Sequence, residues 1–166
     1  MVGRRRYSKL EKEIEKLFVP ELKLSVKCFA YPIGSYDNKF PRYYIQINHE
    51  IIWDFPKNYV EQSYNMYFVV HDIEFNNIMR EYIDTSIDKL LDFKAVEIIR
   101  ETNDNLMYDK NWWEVSMITT NKAHKDFVEI LKSADRRIGK QKLSEYFKDT
   151  DINAVKRILH CRGVEF

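Results

Sequence analysis

Leu22, Leu24, Val26, Cys28 and Ala30 alternate with Lys23, Ser25, Lys27, Phe29 and Tyr31, and a two-residue apolar period is that of a strand with one covered face. Two more stretches rich in β-branched and aromatic residues follow, Arg42 to Ile47 and Glu50 to Phe55, with Asn48 and His49 between them as a two-residue turn. Pro32 to Pro41 holds Gly34, Ser35, Asp37 and Asn38 and reads as a loop. The pattern predicts an antiparallel meander. Tyr43, Ile45 and Ile47 share one face, Tyr44, Gln46 and Asn48 the other, so one side is expected covered and the other wetter. Pro56 ends the third strand.

Helical spacing surrounds this meander. Ser8 and Glu11 have the separation of a capping box, and Leu10, Ile14, Leu17 and Phe18 repeat at helical intervals up to Pro20. Residues 1–7, which include Arg4, Arg5 and Arg6, are expected as a basic tail outside the fold. Tyr64 to Val70 is expected as a fourth strand. Asp72 is placed as the cap of a helix carrying Phe75, Ile78, Met79, Tyr82 and Ile83. Thr85 and Asp88 are placed as the cap of another, carrying Ile87, Leu90 and Leu91. Phe93 to Glu101 and Trp112 to Thr120 suggest a second hairpin, on the β-propensity of Val96, Ile98, Ile99 and the tryptophans. Helical periodicity returns with Phe127, Ile130, Leu131 and Ala134, then Leu143, Tyr146 and Phe147. It ends with Ala154, Val155, Ile158 and Leu159 behind an Asp151 cap, with Gly163 as terminator. The fold class is α+β: an N-terminal helix, the meander, and a mainly helical C-terminal half on one sheet face. Residues 1–166 read as one domain, because no linker or repeat divides them.

Charge narrows the functional classes. The 27 Lys and Arg against 26 Asp and Glu leave a net charge of +1, which gives the whole molecule no pull towards polyanions. No apolar run approaches the roughly 20 residues of a membrane span. No export signal is visible at the start, so a cytoplasmic protein is expected, with Cys28 and Cys161 reduced and packed in apolar surroundings. His49, His71, His124 and His160 are scattered and fit no metal-ligand spacing, and Gly3, Gly34, Gly139 and Gly163 are isolated, so no phosphate-cradling loop is formed. His71 beside Asp72 and His49 beside Glu50 read as helix-entry and turn residues rather than acid and base partners. Glu21-Leu22-Lys23 has the spacing of some metal-dependent nucleases but lacks the upstream acidic strand. No catalytic residue, cofactor or metal site is predicted.

Two sets of residues remain. Aromatics make 14% of the chain, and Tyr43, Tyr44, Trp53 and Tyr59 are singled out as a partner surface because large rings with a polar handle dominate binding hot spots. Arg136, Arg137 and Lys140 are the candidate phosphate contacts, since the guanidinium fork matches phosphate oxygens. The expected function is a small cytoplasmic protein-binding module without catalytic activity, an immunity or antitoxin-like protein being one concrete version. The alternative is a nucleic-acid-binding domain, or an enzyme whose site gathers distant residues such as Arg136, Arg137, His71 and Asp54.

Overall fold

The computed structural model describes residues 2–32, 39–55, 58–59, 72–97 and 110–165. Its sheet is the meander: β1 (Leu24–Pro32), β2 (Lys39–Ile47) and β3 (Glu50–Phe55), antiparallel in the order β1-β2-β3. The β2–β3 turn is Asn48-His49, with φ of 45° and 72°, the positive values that a two-residue turn between twisted strands requires. Register sets the layers. Val26 pairs with Ile45 and Ile45 with Trp53, while Tyr43 pairs with Phe55. All five are buried, whereas Ser25, Lys27, Tyr44 and Gln46 on the opposite face are half exposed. Between Trp53 and Ile51 the ladder skips, leaving Ile52 as an extra residue opposite the Ile45/Gln46 step, a bulge that re-aims its side chain.

The N-terminal helix α1 spans Val2–Glu15. This corrects both the capping box and the basic tail: Ser8 lies in the helix interior, since arginine is a good helix former and extending a helix costs less than starting one. From its last turn Glu15 reaches the sheet edge, where its carboxylate accepts the Val26 N–H at 3.1 Å. The helix α2 (Asp72–Ile83) has Asp72, expected as its cap, as its first residue and buries Phe75, Ile78, Met79 and Tyr82. The segment with Ile87, Leu90 and Leu91 is a 3₁₀ turn over Ile87–Asp92, entered from Ser86. Thr85 instead donates its hydroxyl to the Glu81 carbonyl at 2.6 Å, so it closes α2 and caps nothing.

The largest departure is α3, a helix over Lys110–Ala134. Trp112 to Thr120 belongs to it and not to a hairpin. The β-preference of tryptophan, valine and threonine depends on context, and here Thr120, Ala123, Phe127, Ile130, Leu131 and Ala134 continue one buried helical stripe. Residues 93–97 carry no regular structure. The strand expected over Tyr64 to Val70, His71 and the remainder of the other hairpin arm fall outside the described residues. Phe127 from α3 and Phe75 from α2 complete the core: Tyr43 stacks on Phe75 at 3.9 Å, and Phe127 lies 5.4 Å from Phe75 and 5.6 Å from Trp53.

Beyond α3 come α4 (Lys140–Tyr146) and α5 (Asn153–Cys161). Ala154, Val155, Ile158 and Leu159 of α5 are buried. Its end is a Schellman motif: Gly163, at φ 73°, donates to the His160 carbonyl and Val164 to that of Leu159. The residue preceding α5 is Ile152, with no side-chain cap, so Asp151 is not the cap expected. Cys161 is exposed because it leaves the apolar stripe of α5 by one position, which corrects its expected burial. The side chain of Cys28 is outside the described residues.

Two polar ties hold the C-terminal half together. Asp135, fully buried, accepts the Tyr82 hydroxyl at 2.7 Å and three donors of Arg137, the backbone N–H, Nε and Nη2, at 2.7 to 2.9 Å. Beside it, residues 17–19 run antiparallel to 134–136 through Val19 N–H to the Ala134 carbonyl and Arg136 N–H to the Leu17 carbonyl. The second tie is Lys132, whose side chain is wholly buried. Its ammonium donates to the Leu91 carbonyl and the Tyr146 hydroxyl, both at 2.9 Å, and Tyr146 in turn donates to Glu129 at 3.0 Å. Burial lowers the Lys132 pKa against the opposing pull of Glu129.

Candidate binding groove

Where β3, α3 and the start of α5 meet, a groove of about 590 Å³ opens. The bulge turns Ile52 into it, and Trp53 continues that wall. On α3, Ile118, Lys122 and Asp126 follow one another every four residues, a spacing that puts them on one helix face. Asp151, Ile152 and the first turn of α5 close the third side. The size falls within the roughly 300–1,000 Å³ of ligand pockets, and polar side chains make up more of the lining than apolar ones.

A chain of hydrogen bonds crosses the groove from sheet to helix. The Trp53 indole Nε1 donates to the Tyr59 hydroxyl at 2.7 Å, and that hydroxyl donates to Asp126 Oδ2 at 2.6 Å. Burial, and then the hydrogen bond to the Asp126 carboxylate, push the Tyr59 hydroxyl above its ordinary value, outweighing the Trp53 donation. Tyr59 therefore stays protonated at physiological pH and acts as a strut. Lys122 approaches both Asp126 oxygens at a long 3.4 Å, and its side chain is 59% exposed; a contact this long from a solvated ammonium is weak. Replacing Tyr59 with Phe is expected to cost roughly 1–3 kcal/mol, since the indole N–H and a buried carboxylate both lose a partner. The Trp53 indole resonance should move, and an unchanged resonance would show that the strut is not formed.

The four aromatics picked out from the sequence do not make one surface. Tyr43 is 0% exposed and Trp53 4%, because both sit on the sheet face that α2 and α3 cover; this corrects their expected exposure. Tyr44 lies on the other sheet face, and Tyr59 alone stands half buried at the groove with the Trp53 edge behind it. The basic residues do not line the groove. Arg137 holds buried Asp135, Arg136 donates Nε to the Lys16 carbonyl at 3.0 Å, and Lys140 is exposed with its ammonium near Gly163. Asp54 is buried on β3, its backbone N–H bonded to the Asn58 side chain, far in role from the arginines it was grouped with. Sequence reasoning missed Ile118, Lys122, Asp126, Asp151 and Ile152. The four-residue spacing on α3 carried the signal, broken because Ile118 reads as part of a strand over Trp112 to Thr120 and Lys122 and Asp126 are assigned to no element.

Among the described residues, no group of three or more His, Cys, Asp or Glu is placed to hold a metal ion, and no helix is long and apolar enough to cross a membrane. Fold and groove together define a mixed α+β protein with an open, aromatic-braced cleft on one sheet edge. Over residues 6–162 the chain matches the SF0329 protein family, and it belongs to that family. No curated protein and no solved structure matches it.

Proposed function

We propose that the protein is a cytoplasmic binding module without catalytic activity, whose groove receives a segment of a partner protein. The observation that carries this reading is Ile118, an isoleucine 67% exposed at the groove mouth with half-buried Ile52 and Ile152 on the facing walls. Aliphatic side chains converging on a concave surface gain by desolvation when a partner covers them. The polar floor supports the same reading: Tyr59 and Asp126 are bonded to each other, so they hold the shape of the cleft. An immunity-like protein that covers a toxic enzyme is one form such a module takes.

Ile118→Asp tests it, because the substitution falls on an exposed position and leaves the core intact. A partner retained stoichiometrically by the tagged wild type is expected to bind at least about tenfold more weakly to the variant, a loss of about 1.4 kcal/mol, with melting temperature unchanged. Nucleic acid retained by the purified protein, with an affinity that falls steeply with salt, would overturn the reading. So would a partner held equally well by Ile118→Asp.

A further inference from the structure

Within that groove, and resting on the protein-binding reading, we infer that the partner segment presents an arginine or lysine beside an apolar residue, the cation entering between Asp126 and Asp151 in place of Lys122. The groove carries two carboxylates, Asp126 and Asp151, against one ammonium, Lys122. Asp126 is buried, with Oδ2 committed to the Tyr59 hydroxyl at 2.6 Å, whereas Oδ1 within the groove meets the Lys122 ammonium at 3.4 Å. A contact this long from a mostly exposed side chain is weak, and an incoming guanidinium at ordinary charge-assisted distance replaces it with gain. Asp151 is exposed at the rim. The uncapped first turn of α5 opposes a cation, but its partial charge of about half a unit is smaller than that of Asp151 alone. Tyr59 and Trp53 both line the groove, and the negative face of an aromatic ring favours a cation over an anion. The apolar neighbour of that cation rests on Ile118 and Ile152.

Lys122 is thus an internal competitor, and this gives the inference a readout that mere structural support would not move. The probe is an acetylated, amidated pentapeptide with arginine between two leucines, compared with the same peptide carrying glutamine or glutamate, titrated against the intact protein while the Trp53 indole resonance is followed. The arginine peptide is expected to bind best. Asp151→Asn should weaken it roughly fivefold and Lys122→Ala should tighten it roughly threefold, the scale of exposed ion pairs. Lys125→Ala, the same charge change on α3 at an exposed position off the groove, should leave affinity unchanged. The Asn and Ala substitutions at exposed positions keep the fold, so the test does not depend on altering buried Asp126. Equal binding of the glutamine peptide, equal effects of Lys122→Ala and Lys125→Ala, or no movement of the groove resonance with the arginine peptide would each overturn the inference. Each leaves the broader reading to be decided by the Ile118→Asp partner experiment.

Discussion

Replacing Asp135 with Ala is expected to destabilise the protein by about 3–5 kcal/mol, the cost of removing one partner from a buried ion pair. The carboxylate is fully buried and collects four hydrogen bonds from two residues, Tyr82 on α2 and Arg137 just after α3. Without it the Tyr82 hydroxyl loses the acceptor of its proton, and an Arg137 side chain only 15% exposed keeps a charge with no counter-ion. A loss of this size would lower the melting temperature by roughly 10 °C for a chain of this length. Asp135→Asn retains the shape and one acceptor and should recover part of the loss. A melting temperature within a degree or two of wild type for Asp135→Ala would show that the buried network does not hold the domain together.

Above about pH 10 the protein should unfold with a steep dependence on pH, because its buried tyrosines resist ionisation. Burial raises the Tyr82 hydroxyl well above its ordinary value, with the Asp135 charge adding to it, and Tyr59 is raised by burial and by Asp126. In each case the unfolded chain releases its phenolic proton first. The folded state then holds more protons than the unfolded one, and stability present below the unfolded tyrosine value falls as pH rises. Tyr82 and Tyr59 each contribute a slope of about 1.4 kcal/mol per pH unit, roughly 3 together, and Tyr146, raised by burial and by Glu129, adds in the same sense. Lys132 acts in the opposite sense and earlier. Its pKa is lowered in the fold by burial, so just below the ordinary lysine value the unfolded chain holds the extra proton and stability rises with pH. The expected profile is a shallow rise followed by a steep fall, read from urea midpoints across this range alongside phenolate absorbance. Tyr59→Phe should lessen the slope of the fall by about 1.4 kcal/mol per pH unit. A urea midpoint that does not fall above about pH 10 would refute the account.

What could be read from residues alone divides by distance along the chain. The Asn48-His49 turn, the alternation of β1 and the α5 stripe with Gly163 at its end are local arrangements, in which neighbouring side chains fix both the structure and its boundary. The stretch from Trp112 to Thr120 is different. Its residues suit either a strand or a helix, and the choice is made by the buried stripe that runs on to Ala134, so tertiary packing overrode propensity. The groove was legible in fragments only. Tyr59 was singled out for its aromatic character, but its partner Asp126 lies 67 residues away, and no periodicity joins them. The arginines were grouped by adjacency alone: Arg137 is bound to buried Asp135, whereas Arg136 stays exposed with its Nε on the Lys16 carbonyl. Balanced composition does not reveal which charges are already engaged.

Arg136 and Lys16 meet although they are 120 residues apart, and the strand pairing beside them joins the first helix to the end of the third. Synthesis on the ribosome proceeds from the amino end, so the nascent meander emerges long before α3 and α5 can shield its aromatic face. Loop closure over such a span carries an entropic cost that is met only when the late helices arrive. The last of these ties forms only once translation has passed residue 162, where Arg162 binds the carbonyls of Ser133, Asp135 and Ile138, and until then the aromatic face of the sheet lacks its full helical cover.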